Sequence, residues 1–361
     1  LYWLWLGLVA VLAVPVVVAL LLVLLYFYLT FRYLDFVLRV FHERPLFIVP
    51  RGQPVLDAED VRFPTADGLT LCGCYLHTQA ERRLGVILFG LEFGSNRWAC
   101  VPYCQFLVEN GFDVFAFESR SQGESDALPG YEPLQWVTDH EVRDAQAALA
   151  YLKARADADP QGVGFFGISK GGSAGLLAAA QDDYVRCFVT DGIFATRTTM
   201  IPFMRRWVMI LSKRFWLQNI LPSWYYGVIA DTALRRIRKE SGCAFPHLER
   251  ALPRLAPRPL LMIHGGADSY ISPEMARKLF VLARDPKELW IVERAKHNQA
   301  LQVAGDEYRQ HVLTFFQTHL AAGASVTARV TTPSYGHRAG LAKGPSSLTK
   351  AKAHAPQSAS H

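Results

Sequence analysis

Ser169, Asp268 and His297 lie far apart in this sequence, yet they are the residue types that together make a serine nucleophile. A serine hydroxyl attacks a carbonyl carbon poorly unless a base takes its proton. A histidine is a good base when a carboxylate holds it in one tautomer. Ser169 stands in Gly167-Ile168-Ser169-Lys170-Gly171, a G-x-S-x-G pattern. The apolar run Val163-Gly164-Phe165-Phe166 before it is short enough for a buried strand, and the glycine- and alanine-rich stretch after it fits a tightly packed helix. That context predicts a nucleophile elbow, a sharp strand-to-helix turn that lifts the hydroxyl above a sheet. Gly171-Gly172-Ser173-Ala174-Gly175 fits the same pattern, but Ser173 falls one turn into the helix, where a hydroxyl meets backbone or solvent. Ser169 is therefore the expected nucleophile.

The partners fall just after later strands. Asp268 follows Leu260-Leu261-Met262-Ile263-His264, and His297 follows Leu289-Trp290-Ile291-Val292. In a parallel sheet the loops after the strands open on one edge, so distant residues can converge there. Two alternatives stay open. His264 is nearer to Asp268 in sequence, but it ends a strand and is expected to be buried and bonded to backbone. Asp191, which ends Val189-Thr190-Asp191, competes with Asp268 as the acid. The developing oxyanion needs backbone N–H donors. Lys170 N–H, directly after the nucleophile, is one; Leu91 N–H, in Gly90-Leu91-Glu92-Phe93-Gly94, is the second. A carboxylate at Glu92 would repel an oxyanion, so its side chain is expected to point outward, the alternative being that it reads a cationic substrate group.

The elements that must position these residues follow from the apolar pattern. Residues 59–64 and 69–77 read as strands joined by a turn at Asp67-Gly68. Further strands are expected at 86–89, 114–117, 163–166, 187–190, 260–264 and 288–292, with helices at 98–109, 139–156, 170–180, 272–283 and 306–320. Repeated βα units of this kind imply a mostly parallel sheet flanked by helices, an α/β fold. Residues 195–257 interrupt the alternation with a long insertion rich in Trp, Met, Arg and Ile.

Beyond this domain, placed at residues 56–320, the chain has three further parts. Residues 1–31 carry no charge and are mostly Leu, Val and aromatic. As a helix they would extend about 45 Å, more than the ~30 Å hydrocarbon core requires. Trp3, Trp5, Tyr26 and Tyr28 stand near the ends, as interfacial anchors do. The apolar run is longer than that of a signal peptide and lacks a small-residue cleavage site, so an uncleaved single-pass anchor is expected. Residues 32–55 read as a juxtamembrane linker. Its Arg32, Arg39, Arg44 and Arg51 outnumber Asp35 and Glu43, which points to a catalytic domain on the cytoplasmic side. Residues 321–361 are basic, rich in Ala, Ser, Thr, Gly and Pro, and expected to be disordered. Their Arg329, Arg338, Lys343, Lys350 and Lys352 carry most of the net charge of +6, so the folded part is near neutral and nucleic acid is not an expected partner. The six cysteines lack C-x-x-C spacing; free, buried thiols are expected, with no metal and no cofactor.

The chain resembles the α/β hydrolases, in particular the membrane-anchored α/β-hydrolase-domain, serine-aminopeptidase-like and monoacylglycerol-lipase-like branch. The resemblance rests on Thr65-Ala66-Asp67-Gly68-Leu69, Gly167-Ile168-Ser169-Lys170-Gly171-Gly172, His264-Gly265-Gly266-Ala267-Asp268, Lys296-His297-Asn298, and the turn Glu118-Ser119-Arg120-Ser121-Gln122-Gly123-Glu124-Ser125. The order Ser, Asp, His is also that of the family's triad. The chain departs from the family in having Phe89 before Gly90, Glu118 where Asp is usual, and Lys170 where Met or Tyr is common. The resemblance implies that residues 195–257 form a helical cap shaping the substrate pocket. It also implies an acyl-enzyme on Ser169, with an ester, thioester or amide as substrate. Apolar bulk beside paired cations in the cap (Arg205-Arg206, Lys213-Arg214) suits a membrane surface, so an acyl substrate borne by the lipid bilayer is one expectation. A peptidase or acyltransferase on the same triad, and a non-catalytic tethered protein with the same fold, are the alternatives.

Overall fold

The structure is a computed structural model and describes residues 2–42 and 51–321. The tail expected over 321–361 therefore lies, save Ala321, outside the described residues. So do the parts of the linker with Arg44, Pro45 and Pro50.

Eight strands form one sheet: β1 (Glu59–Pro64), β2 (Thr70–Leu76), β3 (Gly85–Gly90), β4 (Phe112–Phe117), β5 (Val163–Ile168), β6 (Val185–Asp191), β7 (Leu260–Gly265) and β8 (Lys287–Val292). They lie in the order β1-β2-β4-β3-β5-β6-β7-β8. β2 runs antiparallel to both β1 and β4, and every pairing from β4 to β8 is parallel. The central strands read as continuous apolar runs because both sheet faces are covered; β3, β4, β5 and β7 are buried along their whole length.

The helices are α1 (Tyr2–His42), α2 (Val101–Glu109), α3 (Asp139–Ala154), α4 (Ser169–Ala179), α5 (Thr196–Ser212), α6 (Ser223–Ser241), α7 (Leu248–Ala251), α8 (Pro273–Leu282), α9 (Ala300–Ala304) and α10 (Asp306–His319). One core, with Phe115, Phe165 and Phe188, fills the face under α3, α4 and the cap. A second, with Phe89, Phe166 and Phe316, fills the face under α2 and α10. Adjacent residues Phe165 and Phe166 thus feed opposite cores, as a period of two requires. The register levels the strand ends: Ile168 lies opposite Asp191, Asp191 opposite Ile263, and Ile263 opposite Trp290. The loops leaving these strands consequently start side by side.

The insertion between β6 and β7 contains no strand among the described residues and is built from α5, α6 and α7 with short 3-10 turns. Helix α1 differs from the sequence expectation. It continues through residues expected to be linker as far as His42, because nothing before Pro45 breaks it. From Leu22 onward it is packed rather than free. Leu22, Leu25, Tyr26, Leu29, Leu34 and Val37, at successive spacings of three, one, three, five and three, pack against the core that includes the cap. Tyr225 OH donates to Leu22 O at 2.8 Å, and Tyr26 OH lies 2.9 Å from Thr232 Oγ1. Tyr26, expected as an interfacial anchor, thus faces the cap.

Candidate active site

The elbow forms as its glycines require. Ser169 has φ +50°, a left-handed conformation that a non-glycine residue adopts only when its surroundings impose it. Gly167 and Gly171 allow the crowding: a Cβ on Gly167 would lie 2.4 Å from Gly172 Cα, and one on Gly171 2.1 Å from Leu91 O. Strand, helix and the loop after β3 therefore meet at backbone contact.

Ser169 Oγ lies 3.0 Å from His297 Nε2, and His297 Nδ1 lies 2.6 Å from Asp268 Oδ2. Asp268 is itself fixed, its Oδ1 accepting from Tyr270 N and Ile271 N, each at 2.8 Å. The three residues singled out from sequence are thus brought into one chain of contacts. Asp191 is not on it. Its Oδ2 accepts from Tyr308 OH at 3.1 Å, and complete burial pushes its carboxyl up to about 7. Gly192 next to it touches the site instead, a Cβ there lying 3.4 Å from His297 Cε1. His264 is buried as expected and donates from Nε2 to Ile271 O at 2.7 Å; burial lowers its pKa. Ser173 is also structural, donating to Ser169 O at 3.1 Å and accepting from Phe194 N at 3.0 Å.

Lys170 N–H belongs to the first turn of α4, whose amides have no intrahelical acceptor. The Leu91 peptide lies against Gly171, with Leu91 N 2.6 Å from where a Cβ would be. Lys170 N–H thus follows Ser169 directly, and the Leu91 peptide packs on the same first turn of α4 at Gly171. Glu92 contradicts its expectation. Its side chain is buried rather than outward, and Oε2 accepts from Asn298 Nδ2, next to His297. Burial raises its carboxyl to about 7 against the opposing effects of Asn298 and His297. Protonation of Glu92, which this burial favours, removes the repulsion that motivated placing it outside. Among the described residues, no group of three or more His, Cys, Asp or Glu could hold a metal ion, and all six cysteines are free and buried.

The profile of the family described as alpha/beta hydrolase fold matches residues 86–220, the span from β3 through the elbow into the cap. The esterase Pf2001 of Pyrococcus furiosus superposes with a TM-score of 0.56 at 20% identity, covering 77% of this chain and all of that one. The chain has the α/β-hydrolase fold. Among relatives in sequence, this hydrolase-fold chain is 28% identical over 275 residues to the uncharacterized protein YfhR of Escherichia coli O157:H7, covering 74% of this chain and 84% of that one. It is 25% identical to the polyketide transferase ATR5 of Stachybotrys chlorohalonatus, covering 74% of this chain and 99% of that one.

Sequence reasoning missed how this hydrolase fold supports the elbow from below. The Lys170 side chain turns away from Ser169 into the core, 2.8 Å from Glu141 Oε1 and donating to Leu134 O at 2.6 Å. Glu141 also closes the capping box of α3, accepting from Thr138 N at 2.8 Å, and it accepts from Tyr131 OH at 2.7 Å. Burial alone would raise the Glu141 carboxyl, but the Lys170 charge and these hydrogen bonds hold it below its usual value. The signal available in sequence was the box itself, Thr138-Asp139-His140-Glu141. The turn at Glu118 has a related role. Arg120, fully buried, bonds Asp144 on α3 and Asp67 in the β1–β2 turn, so the two motifs quoted for the family are joined by one side chain.

Proposed function

We propose that this protein is a membrane-anchored serine hydrolase that cleaves an ester, thioester or amide through an acyl-enzyme on Ser169. The observation that carries the reading is the run of contacts Ser169 Oγ–His297 Nε2 (3.0 Å) and His297 Nδ1–Asp268 Oδ2 (2.6 Å). In this reading His297 Nε2 takes the Ser169 proton as Oγ bonds to the carbonyl carbon. Asp268 keeps the other proton on Nδ1 and balances the imidazolium. The backbone N–H groups of Lys170 and Leu91 receive the oxyanion. His297 then protonates the leaving group, and water, deprotonated by His297, returns the serine. The hydrolase domain spans 56–320, its cap 195–257, and α1 holds it at the bilayer with the catalytic part facing the cytoplasm.

A fluorophosphonate probe tests this directly. Labelling of the wild-type chain that disappears in Ser169→Ala is the expected result. A folded wild-type chain that takes no label would make it a non-catalytic protein on the same fold. A second reading, acyl transfer, shares every step up to the acyl-enzyme. It is favoured by the near-complete burial of Ser169, 4% exposed, which limits water, and by the similarity to a polyketide transferase. Supplying an alcohol or thiol acceptor separates the two: product partitioning to the acceptor well beyond its share against water supports transfer.

A further inference from the structure

A groove of about 410 Å³ runs between α1 and the cap, a size within the range of small-molecule sites of about 300–1,000 Å³. Leu25, Leu29 and Val37 of α1 form one wall, and Met204, Val208 and Ile229 of the cap form the other. Two of its hydroxyls are already committed to backbone: Ser212 Oγ donates to Val208 O at 2.5 Å, and Tyr226 OH to Gln218 O at 3.1 Å. The walls therefore offer little to a polar ligand and much to a hydrocarbon.

Two features say where such a hydrocarbon would come from. The groove is made in part by α1, whose preceding stretch, residues 11–21, is exposed along its length, with Leu12 at 61% and Val16 at 67%. Residues 2–21 would extend about 30 Å, the thickness of a bilayer's hydrocarbon core. The groove thus begins where the free part of the helix ends, which in a chain anchored by that part is the membrane surface. Its inner end points to the chemistry. Phe203 and Trp136 line it; the Phe203 ring lies 6.0 Å from Tyr270, and Tyr270 lies 5.4 Å from His297. Tyr270, bonded to Gln135, stands between groove and triad.

We infer that this groove binds the acyl chain of a membrane lipid ester, with α1 as one wall of the substrate site and Tyr270 as the partition before Ser169. The inference rests on the hydrolase reading for what happens to the chain once bound, but its binding step does not.

Two measurements on the full-length chain in phosphatidylcholine vesicles test it. The first uses Ser169→Ala protein and a palmitic acid carrying a diazirine at its methyl end. Crosslinks to residues 25–37 and 200–212, competed by palmitate, are expected. Crosslinks confined to residues 11–21, or appearing only after residues 322–361 are removed, overturn the inference. The second uses Leu29→Trp and Val208→Trp, two independent ways of filling the groove. The ratio of kcat/KM on a palmitate ester to that on an acetate ester falls about tenfold or more in both, while Val17→Trp, on the free part of α1, keeps it. An unchanged ratio in both groove variants overturns the inference. Absence of fluorophosphonate labelling would instead sink the hydrolase reading, leaving the crosslink to decide the groove by itself.

Discussion

Around Ser169 the side chains are held by directed polar contacts and by backbone packed on backbone. Between α1 and the cap they are held by apolar packing with few hydrogen bonds. In the first arrangement His297 is held between Ser169 and Asp268, Asp268 also accepts from the Ile271 N–H, and the Leu91 peptide packs tightly against Gly171. The second is adaptable, since methionines and aliphatic side chains fill irregular space in several ways. On the proposed reading, reaction type and substrate choice reside in parts of the molecule with different mechanical character. Substitutions at the two should fail differently, the first in kcat and the second in the discrimination between substrates.

The largest effect separates the two carboxylates beside His297. Asp268→Asn should lower kcat about ten-thousandfold, since an amide there favours the wrong histidine tautomer. Asp191→Asn should leave turnover within about tenfold, because Asp191 faces Tyr308. Comparable losses in both would mean that the polar side of the comparison extends further than the contacts show. Next, Gly171→Ala should lower kcat about a hundredfold with little change in KM. Its methyl would meet Leu91 O at 2.1 Å and push an oxyanion donor aside. Full activity in that variant would remove Leu91 from the site.

The support beneath the elbow is tested through stability. Lys170→Met leaves Glu141 buried without its cation and should cost about 3–5 kcal/mol in denaturant unfolding. Adding Glu141→Gln should recover part of that, because an unpaired buried charge is the main cost. A smaller effect concerns pH. Glu92 and Asp191 are raised by burial from 4.5 and 3.8 to about 7. The folded state therefore binds protons that the unfolded state has released, so their contribution to stability is complete below about pH 4 and is lost as pH rises to about 7. Glu92→Gln and Asp191→Asn should each gain stability relative to wild type across that window, as measured by urea midpoints. A gap between variant and wild type that does not change with pH would show that these carboxyls titrate normally.

Much of the catalytic side was legible because its signals are local. A strand, a glycine, a serine and a second glycine all fall within residues 163–171, and Asp268 and His297 each lie a few residues beyond an apolar run. Parallel pairing then brings the strand ends level. Glu92 was misplaced because its orientation depends on Asn298, more than two hundred residues later, and on a burial that raises its carboxyl to about 7. No local pattern carries either fact. The packing of α1 was hidden for a related reason. A membrane span and a helix packed on a cap are both apolar, so composition alone cannot tell Leu12, which is exposed, from Leu25, which lines the groove. The distinction lies in the partner helices α5 and α6, not in α1.

The smallest expected effect sharpens the apolar side of the comparison. Within the cap stretch 206–224, Trp216 and Trp224 are 57% and 60% exposed, Ile220 57% and Leu211 53%, and Arg206, Lys213 and Arg214 are exposed as well. Apolar rings among cations suit the headgroup region of an anionic bilayer. If this face rests there, Trp216→Ala and Trp224→Ala should each weaken vesicle binding of a chain lacking residues 1–21 by a few fold, roughly the burial of one partly inserted ring. Thermal stability should not change, since neither side chain is buried. The loss should be larger on vesicles containing phosphatidylglycerol than on phosphatidylcholine alone, because the neighbouring cations add to binding only where the surface is negative. Equal binding by wild type and both variants would mean that the cap holds its groove open to the bilayer through α1 alone.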